Sequence, residues 1–200
     1  MNFSINGFVY QVLIDPILLR LYNTILDNID PSQRVVDVAC GTGSQAMAIA
    51  RKAIHVTGID LSEEMISTAR RAAHKRGVIN VQFELRDASN LSAYENNEFD
   101  IAITSMAVHQ FESSLAITIL SEMKRIASKV IIVDYNYPMP KGFSRLVVKS
   151  IERFAGGDHY RNFRKYMGKD GIHYFAEQAG VEITSEVIRG NGVFVVVVGY

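Results

Sequence analysis

From Arg34 to Val133 the chain alternates strand-sized runs of β-formers with helical periods, and this alternation constrains the fold more than any other feature. Val35–Val38, Ile54–Ile59, Val81–Leu85, Phe99–Thr104 and Val130–Val133 read as strands. Between them, Ser44–Lys52 reads as a helix, and so does the stripe of Leu115, Ile119, Leu120, Met123 and Ile126. Strands separated by helices imply right-handed βαβ units and a parallel sheet. The best-specified helix opens at Ser62, a good N-cap, with Glu63 and Glu64 in the positive first turn. Met65, Ile66, Ala69, Ala72 and Ala73 form its apolar stripe, and Gly77 stops it. Arg70, Arg71, Lys75 and Arg76 stand near its negative end, which accounts for that basic cluster without a ligand.

Outside this core, a helical opening is expected over Tyr10–Ile29, with Leu13, Ile17, Leu21, Ile25 and Leu26 on one face. Asp15-Pro16 marks a break or a start within it. After Pro138-Met139-Pro140 the pattern turns helical and rich in aromatics as far as Met167, and a further helix, Asp170–Ala179, ends at Gly180. Val181–Ile188 and Val193–Val198 flank Arg189-Gly190-Asn191-Gly192, so an antiparallel hairpin with a tight turn closes the chain. A chain of 200 residues suits one domain. The expected parts are an N-terminal helical segment (1–30), a ligand-binding core (34–137), a helical substrate-side segment (138–168), and a final helix with hairpin (170–200).

Composition removes several function classes. Lys plus Arg and Asp plus Glu each number 21, so there is no basic excess to grip a phosphate backbone, which disfavours nucleic acid. The longest apolar run is strand-sized, Val193–Val198, too short for a membrane span. The first residues lack the pattern of a signal peptide, so a cytoplasmic location is expected. One cysteine, Cys40, excludes an internal disulfide and a Cys-rich metal site, and no metal is expected. Oligomeric state stays open.

The stretch Val35-Val36-Asp37-Val38-Ala39-Cys40-Gly41-Thr42-Gly43-Ser44 passes from strand through a small-residue loop into a helix. Gly41 and Gly43 allow a sharp turn and a close ligand approach, with helix N-terminal amides behind them. Asp60 ends the second strand, which places it beside this loop at the carboxyl edge of the sheet. A carboxylate there can accept both hydroxyls of a ribose; its other role is to start the next helix, for which Ser62 is already suited. A nicotinamide dinucleotide is disfavoured because Ala46 stands where the third glycine of G-x-G-x-x-G belongs.

Val36-Asp37-Val38-Ala39-Cys40-Gly41-Thr42-Gly43 resembles the first motif of class I S-adenosylmethionine-dependent methyltransferases, with Ala39 in place of its first glycine. Gly58-Ile59-Asp60-Leu61-Ser62 with Met65 resembles the second motif, Arg86-Asp87-Ala88 the third, and Glu98-Phe99-Asp100 through Ser105, then Val108-His109, the fourth. The resemblance runs from Arg34 to about Tyr137 and is nearest to small-molecule enzymes similar to ubiquinone/menaquinone-biosynthesis methyltransferases. It implies an α/β, Rossmann-like, mostly parallel seven-stranded sheet with helices on both faces and an antiparallel C-terminal hairpin strand. It implies S-adenosylmethionine as cofactor, S-adenosylhomocysteine as product, and a small-molecule acceptor.

Carried over residue by residue, the resemblance has Asp37 orient the methionine end of the cofactor, while Ala39, Gly41 and Gly43 supply the loop. Leu61 packs on the adenine, with ordinary core burial as its alternative, and Met65 is a cofactor-binding residue of the same motif. Asp87 accepts the adenine amino group, with the amide of Ala88 beside it; otherwise Asp87 is a turn residue. Ser105 lies at the mouth of the fourth strand. His109 is the candidate base or acceptor-orienting group, and Tyr135 and Tyr137 follow the fifth strand at the same edge. His159 and Tyr160, with Phe163 and Tyr166, either line a lid or simply pack. Tyr10 and Arg20 can close over the cofactor carboxylate, and Cys40 is read as a packing residue. Two other functions keep the same motifs: a catalytically silent cofactor-binding partner and a protein methyltransferase.

Overall fold

The structure, a computed structural model, describes residues 15–200, with side chains from Leu21 onward. Its elements in chain order are α1 (Asp15–Leu26), β1 (Arg34–Val38), α2 (Ser44–Ile49), β2 (His55–Asp60), α3 (Glu63–Arg76), β3 (Val81–Leu85) and β4 (Phe99–Ser105). A 3-10 turn (Val108–Gln110), α4 (Ser113–Ile126) and β5 (Ala127–Tyr135) follow. The chain closes with α5 (Phe143–Phe154), α6 (Gly157–Gly168), α7 (Ile172–Gln178), β6 (Ile183–Arg189) and β7 (Phe194–Gly199).

The seven strands form one sheet in the order β3-β2-β1-β4-β5-β7-β6. β1 pairs in parallel with both β2 and β4, so the chain leaves β1 toward one half of the sheet and returns to its other side for β4. The connections diverge there, which opens a crevice at the carboxyl ends of β1 and β4. Only β7 runs against the rest, antiparallel to β5 and to β6. The central strands are apolar on both faces because helices cover both: Val35, Val36, Ile101–Ile103 and Val130–Val133 are all at most 1% exposed.

Local chemistry explains the boundaries. Ser62 caps α3 with its Oγ accepting from the Met65 amide at 3.3 Å, and Gly77 ends the helix at φ +65°. Arg70, in the cluster attributed above to helix polarity, also ties α3 to β3, because its guanidinium donates to the Phe83 carbonyl at 2.6 and 3.1 Å. The aromatic-rich segment expected as one stretch is two helices, broken at Ala155-Gly156 with Gly156 at φ +125°. The hairpin loop is longer than a tight two-residue turn. Gly190 (φ +59°) and Asn191 (φ +54°) make the turn, and Gly192 and Val193 precede the first pair, Arg189↔Phe194. Of the opening helix, Asp15–Leu26 is described, whereas Tyr10, Leu13 and the side chains of Ile17 and Arg20 lie outside the described residues. No helix among the described residues is long and apolar enough to cross a membrane.

Helix α5 is oriented unusually. It turns Val148 and Glu152 inward and leaves Phe143, Leu146 and Phe154 at 64–85% exposure. Helix α6 is fastened more conventionally, by Phe163 and Tyr166 in the core and by the Asn162 side-chain amide donating to the Gln110 carbonyl at 2.9 Å.

The Ser62 cap is testable in isolation. Ser62→Ala should lower stability by about 1 kcal/mol in equilibrium urea unfolding, with an unchanged m-value.

Candidate functional site

Two groups of polar side chains meet at the carboxyl edge of the sheet. The first surrounds the loop after β1. Cys40 donates its amide to the Ile59 carbonyl at 2.9 Å, bringing the loop against the end of β2. Asp60 then takes the Gly41 amide on Oδ2 (2.8 Å) and the Ser62 amide on Oδ1 (2.9 Å). Its carboxylate thus starts α3 and fixes the loop at once, while each oxygen keeps a further lone pair. Leu61, next in sequence, is 72% exposed, so core burial is not its role. Met65 behind it is half-buried.

The two glycines differ in purpose. A Cβ on Gly41 (φ +52°) would meet nothing within 4 Å, so that loop face is open to a ligand. A Cβ on Gly43 (φ +75°) would stand 2.5 Å from Phe83 Cζ and 2.9 Å from Ala69 Cβ. Gly43 is therefore required as a glycine by the protein's own packing on Phe83 and Ala69. Ala39 carries more strain than lost space. Its φ is +59°, left-handed backbone that costs a residue with a Cβ about 1–2 kcal/mol. Met106 (φ +55°), just beyond β4, shares this conformation. Cys40 is buried against Gly58, and burial together with the Asp37 and Asp60 charges pushes its thiol pKa up, so it is inert packing.

Asp37 lies inside β1, 1% exposed, and accepts from Gln45 Nε2 at 2.9 Å. Burial, helped by the neighbouring Asp60 charge and opposed by the Gln45 hydrogen bond, raises its pKa to about 7. Its Oδ2 finds no hydrogen-bond partner, and neither do Gln45 Oε1, Thr104 Oγ1 and Ser105 Oγ. Unpartnered buried atoms gathered at one sheet edge are what a polar ligand would satisfy. Asp87, at the end of β3, is exposed, and its Oδ1 holds the Ser89 amide (2.8 Å) and hydroxyl (2.7 Å) in a turn, which lowers its pKa. Ala88 packs on the core beside it.

The second group lies across the edge, beneath α5 and α6. His109 is 2% exposed; its Nδ1 stands 2.6 Å from Asp134 Oδ1 and its amide donates to Asp134 Oδ2 at 3.2 Å. Asp134 also takes the Tyr135 amide at 2.7 Å. Burial alone would depress the His109 pKa, but the Asp134 charge and hydrogen bond, with the Glu152 charge, raise it overall. His109 Nε2 faces Glu152 Oε1 at 3.6 Å, and that oxygen accepts the Tyr135 hydroxyl at 2.7 Å. His159 Nδ1 lies 3.1 Å from Glu152 Oε2.

The sequence-expected residues His109, Tyr135 and His159 are thus gathered around one carboxylate. Tyr160 lies beyond them, lining a cavity of about 230 Å³ between α5 and α6. Its floor is Met139, Phe163 and Met167, and Arg145, Lys149 and Arg164 rim it. Tyr137 is instead 38% exposed and backs onto Gly171. Asp134, Glu152 and Gln45 were not anticipated. Asp134 had a visible signal, an acid continuing a fully apolar strand; Glu152 had none, since it sits among Lys149, Arg153 and other charges typical of a solvated helix face.

Two substitutions check this description. Ala39→Gly should raise stability by about 0.5–1 kcal/mol in urea unfolding, because it relieves left-handed backbone. Asp37 has its folded pKa above the unfolded value, so its contribution to stability falls as pH rises from about 4 to 7. Asp37→Asn escapes that loss. Its melting temperature should exceed the parent's, with the gap widening between pH 5 and pH 8 by the equivalent of about 2 kcal/mol.

Comparison with known proteins agrees with the motif order. Residues 35–129 match a family model described as a methyltransferase domain. The ubiquinone/menaquinone biosynthesis C-methyltransferase UbiE of Burkholderia vietnamiensis is 28% identical over 191 residues, covering 86% of this chain and 76% of that protein. A ubiquinone biosynthesis O-methyltransferase of Neisseria meningitidis is 26% identical over 156 residues, 76% of this chain but only 64% of that longer protein. Among solved structures, magnesium protoporphyrin IX methyltransferase from Synechocystis PCC 6803, with bound S-adenosylhomocysteine, has the same fold. It superposes with a TM-score of 0.67 at 18% identity, over 93% of this chain and 84% of that one. With four motifs in order, a seven-stranded sheet whose β7 is reversed, and these matches, the chain is a class I S-adenosylmethionine-dependent methyltransferase.

Proposed function

We propose that the chain transfers the methyl group of S-adenosylmethionine to a small molecule held between the sheet edge and the α5–α6 pair. The observation that carries this reading is that buried polar atoms lack partners in both groups at the carboxyl edge of the sheet, Asp37 and Ser105 at the ends of β1 and β4 and Glu152 and His159 on α5 and α6. In this reading Asp37 receives the ammonium of the cofactor's methionine end. Ala39 and Gly41 present backbone to it, Gly43 lets the loop seat on Phe83, and Asp60 accepts the ribose hydroxyls with its remaining lone pairs. Leu61 and Met65 flank the adenine, Asp87 and Ala88 meet its amino edge, and Ser105 stands nearest the methyl group.

S-Adenosylmethionine supplies a methyl group on a cationic sulfur, an electrophile that needs mainly alignment and exclusion of water. The acceptor side is assigned to His109 and Tyr135. Asp134 fixes the His109 ring through Nδ1, which leaves Nε2 as its working atom. Tyr137, His159 and Tyr160 complete the acceptor's surroundings. The cavity beside Tyr160 favours a small acceptor with an apolar body and a negative group, since its floor is apolar and its rim holds three cations. The quinone-biosynthesis relatives support a small molecule over a protein.

Calorimetry with S-adenosylhomocysteine should give a micromolar-range dissociation constant, and Asp60→Ala should weaken it by more than about tenfold. His109→Ala should keep that affinity within about twofold while slowing transfer roughly 100-fold. Transfer is read by incubating the protein with methyl-labelled cofactor and a small-molecule metabolite extract. Label that appears only in proteins, or nowhere, would refute the small-molecule reading.

A further inference from the structure

We infer that His109, Glu152 and His159 form a binding site for a divalent first-row transition metal, with Zn²⁺ the best match. The inference refines the acceptor side of the proposed reaction, but it is tested without cofactor or acceptor. Metal binding and methyl transfer can therefore fail independently.

The donor set comes first. His109 Nε2, His159 Nδ1 and the Glu152 carboxylate lie within 4.8 Å of one another. The adjacent separations are 3.6 Å (His109 Nε2 to Glu152 Oε1) and 3.1 Å (His159 Nδ1 to Glu152 Oε2). Zinc bonds to imidazole nitrogen and carboxylate oxygen are about 2.0–2.2 Å, which sets neighbouring donors roughly 3.3 Å apart around a tetrahedron. The spacing here brackets that value. Two imidazoles and one carboxylate also match the ligand types of catalytic zinc sites that keep a fourth position for substrate or water.

The immediate surroundings match as well. A ligating histidine almost always donates its other ring N–H to a carboxylate or carbonyl, which fixes the tautomer and turns the lone pair on the metal. His109 does this: Nδ1 is 2.6 Å from Asp134, itself 0% exposed and held by two backbone amides. Glu152 is likewise oriented, with Oε1 taking the Tyr135 hydroxyl.

What the cluster lacks without a cation is the independent observation. Glu152 is 3% exposed, yet its Oε2 has no hydrogen-bond partner, and neither has His159 Nδ1. The two atoms are 3.1 Å apart without the geometry of a hydrogen bond. An imidazole lone pair and a carboxylate oxygen that close in a buried site repel unless a proton or a metal cation lies between them. Two buried acidic side chains, Asp134 and Glu152, stand at the site, and a divalent cation would offset negative charge there. His159 is 21% exposed, which gives an entry path from the α6 side. With three protein ligands the fourth position is left for an oxygen of the acceptor, which the metal would hold and acidify.

The test uses tag-free full chain, stripped with chelator, then titrated with Zn²⁺ by calorimetry and with Co²⁺ by visible absorption. One equivalent should bind, and Co²⁺ should give the intense d–d bands of low-coordinate nitrogen and oxygen ligation. His159→Ala and Glu152→Gln should each weaken binding at least about tenfold, and Asp134→Asn by roughly 10–100-fold through loss of the ring's partner. His173→Ala, which removes a surface histidine paired with Glu186, should change nothing. His159 is partly exposed, so if the buried Glu152→Gln variant fails to fold, His159→Ala decides alone. The inference is overturned if the parent binds neither metal, if His159→Ala binds as the parent does, or if His173→Ala is the variant that loses binding. In the first case a shared proton, not a metal, joins Glu152 to the histidines.

Discussion

The carboxylate of Asp60 is the joint on which this edge of the molecule is assembled. It stands at the end of β2, takes the amide of Gly41 from the loop after β1 and the amide of Ser62 at the start of α3, and so locks two βα connections together. The loop it fixes must bend through left-handed backbone at Ala39, Gly41 and Gly43. Such backbone persists only when its surroundings over-determine it. The Asp60 bonds and the press of Phe83 and Ala69 on Gly43 supply that determination. The loop is thus shaped by the protein's own contacts, so a ligand meeting it need not fund much ordering.

Across the crevice the organising force is charge, not shape. Asp134 and Glu152 are both buried, and the groups around them are histidines, tyrosine hydroxyls and backbone amides, with no lysine or arginine bonded to either among the described residues. Carboxylates in such surroundings are costly to bury, and here they stand opposite the loop that carries the motifs. One half of the crevice is tied by backbone hydrogen bonds and the other by ionisable side chains. On the proposed function, this division separates the half that recognises the cofactor from the half on which an acceptor depends.

The legibility of the chain follows the same division. Strands β1 to β5, α3 with its Ser62 cap and Gly77 stop, and the reversed β7 were readable because period, capping and turn chemistry are local signals. The break at Ala155-Gly156 had a local signal, the Gly156-Gly157 pair, which was outweighed by the helical period continuing on both sides of it. The packing demand on Gly43 was not legible because the neighbour that imposes it, Phe83, comes from a strand forty residues later. The partnership of His109 with Glu152 crosses a similar distance. Nothing local marks Glu152 as buried, since its helix carries its apolar side chains outward.

That inverted helix has an evolutionary consequence. α5 contributes little more than Val148 and Glu152 to the interior, and it is bounded by Gly142 and Gly156, both at positive φ. The sheet, its register and the loop after β1 take no support from its remaining positions. Substitutions at the outward positions of α5 can therefore accumulate, provided Val148 and Glu152 are kept, without unsettling the loop after β1. On the proposed function, a chain built this way can reshape one wall of its acceptor cavity through the exposed positions of a single helix while its core stays unchanged.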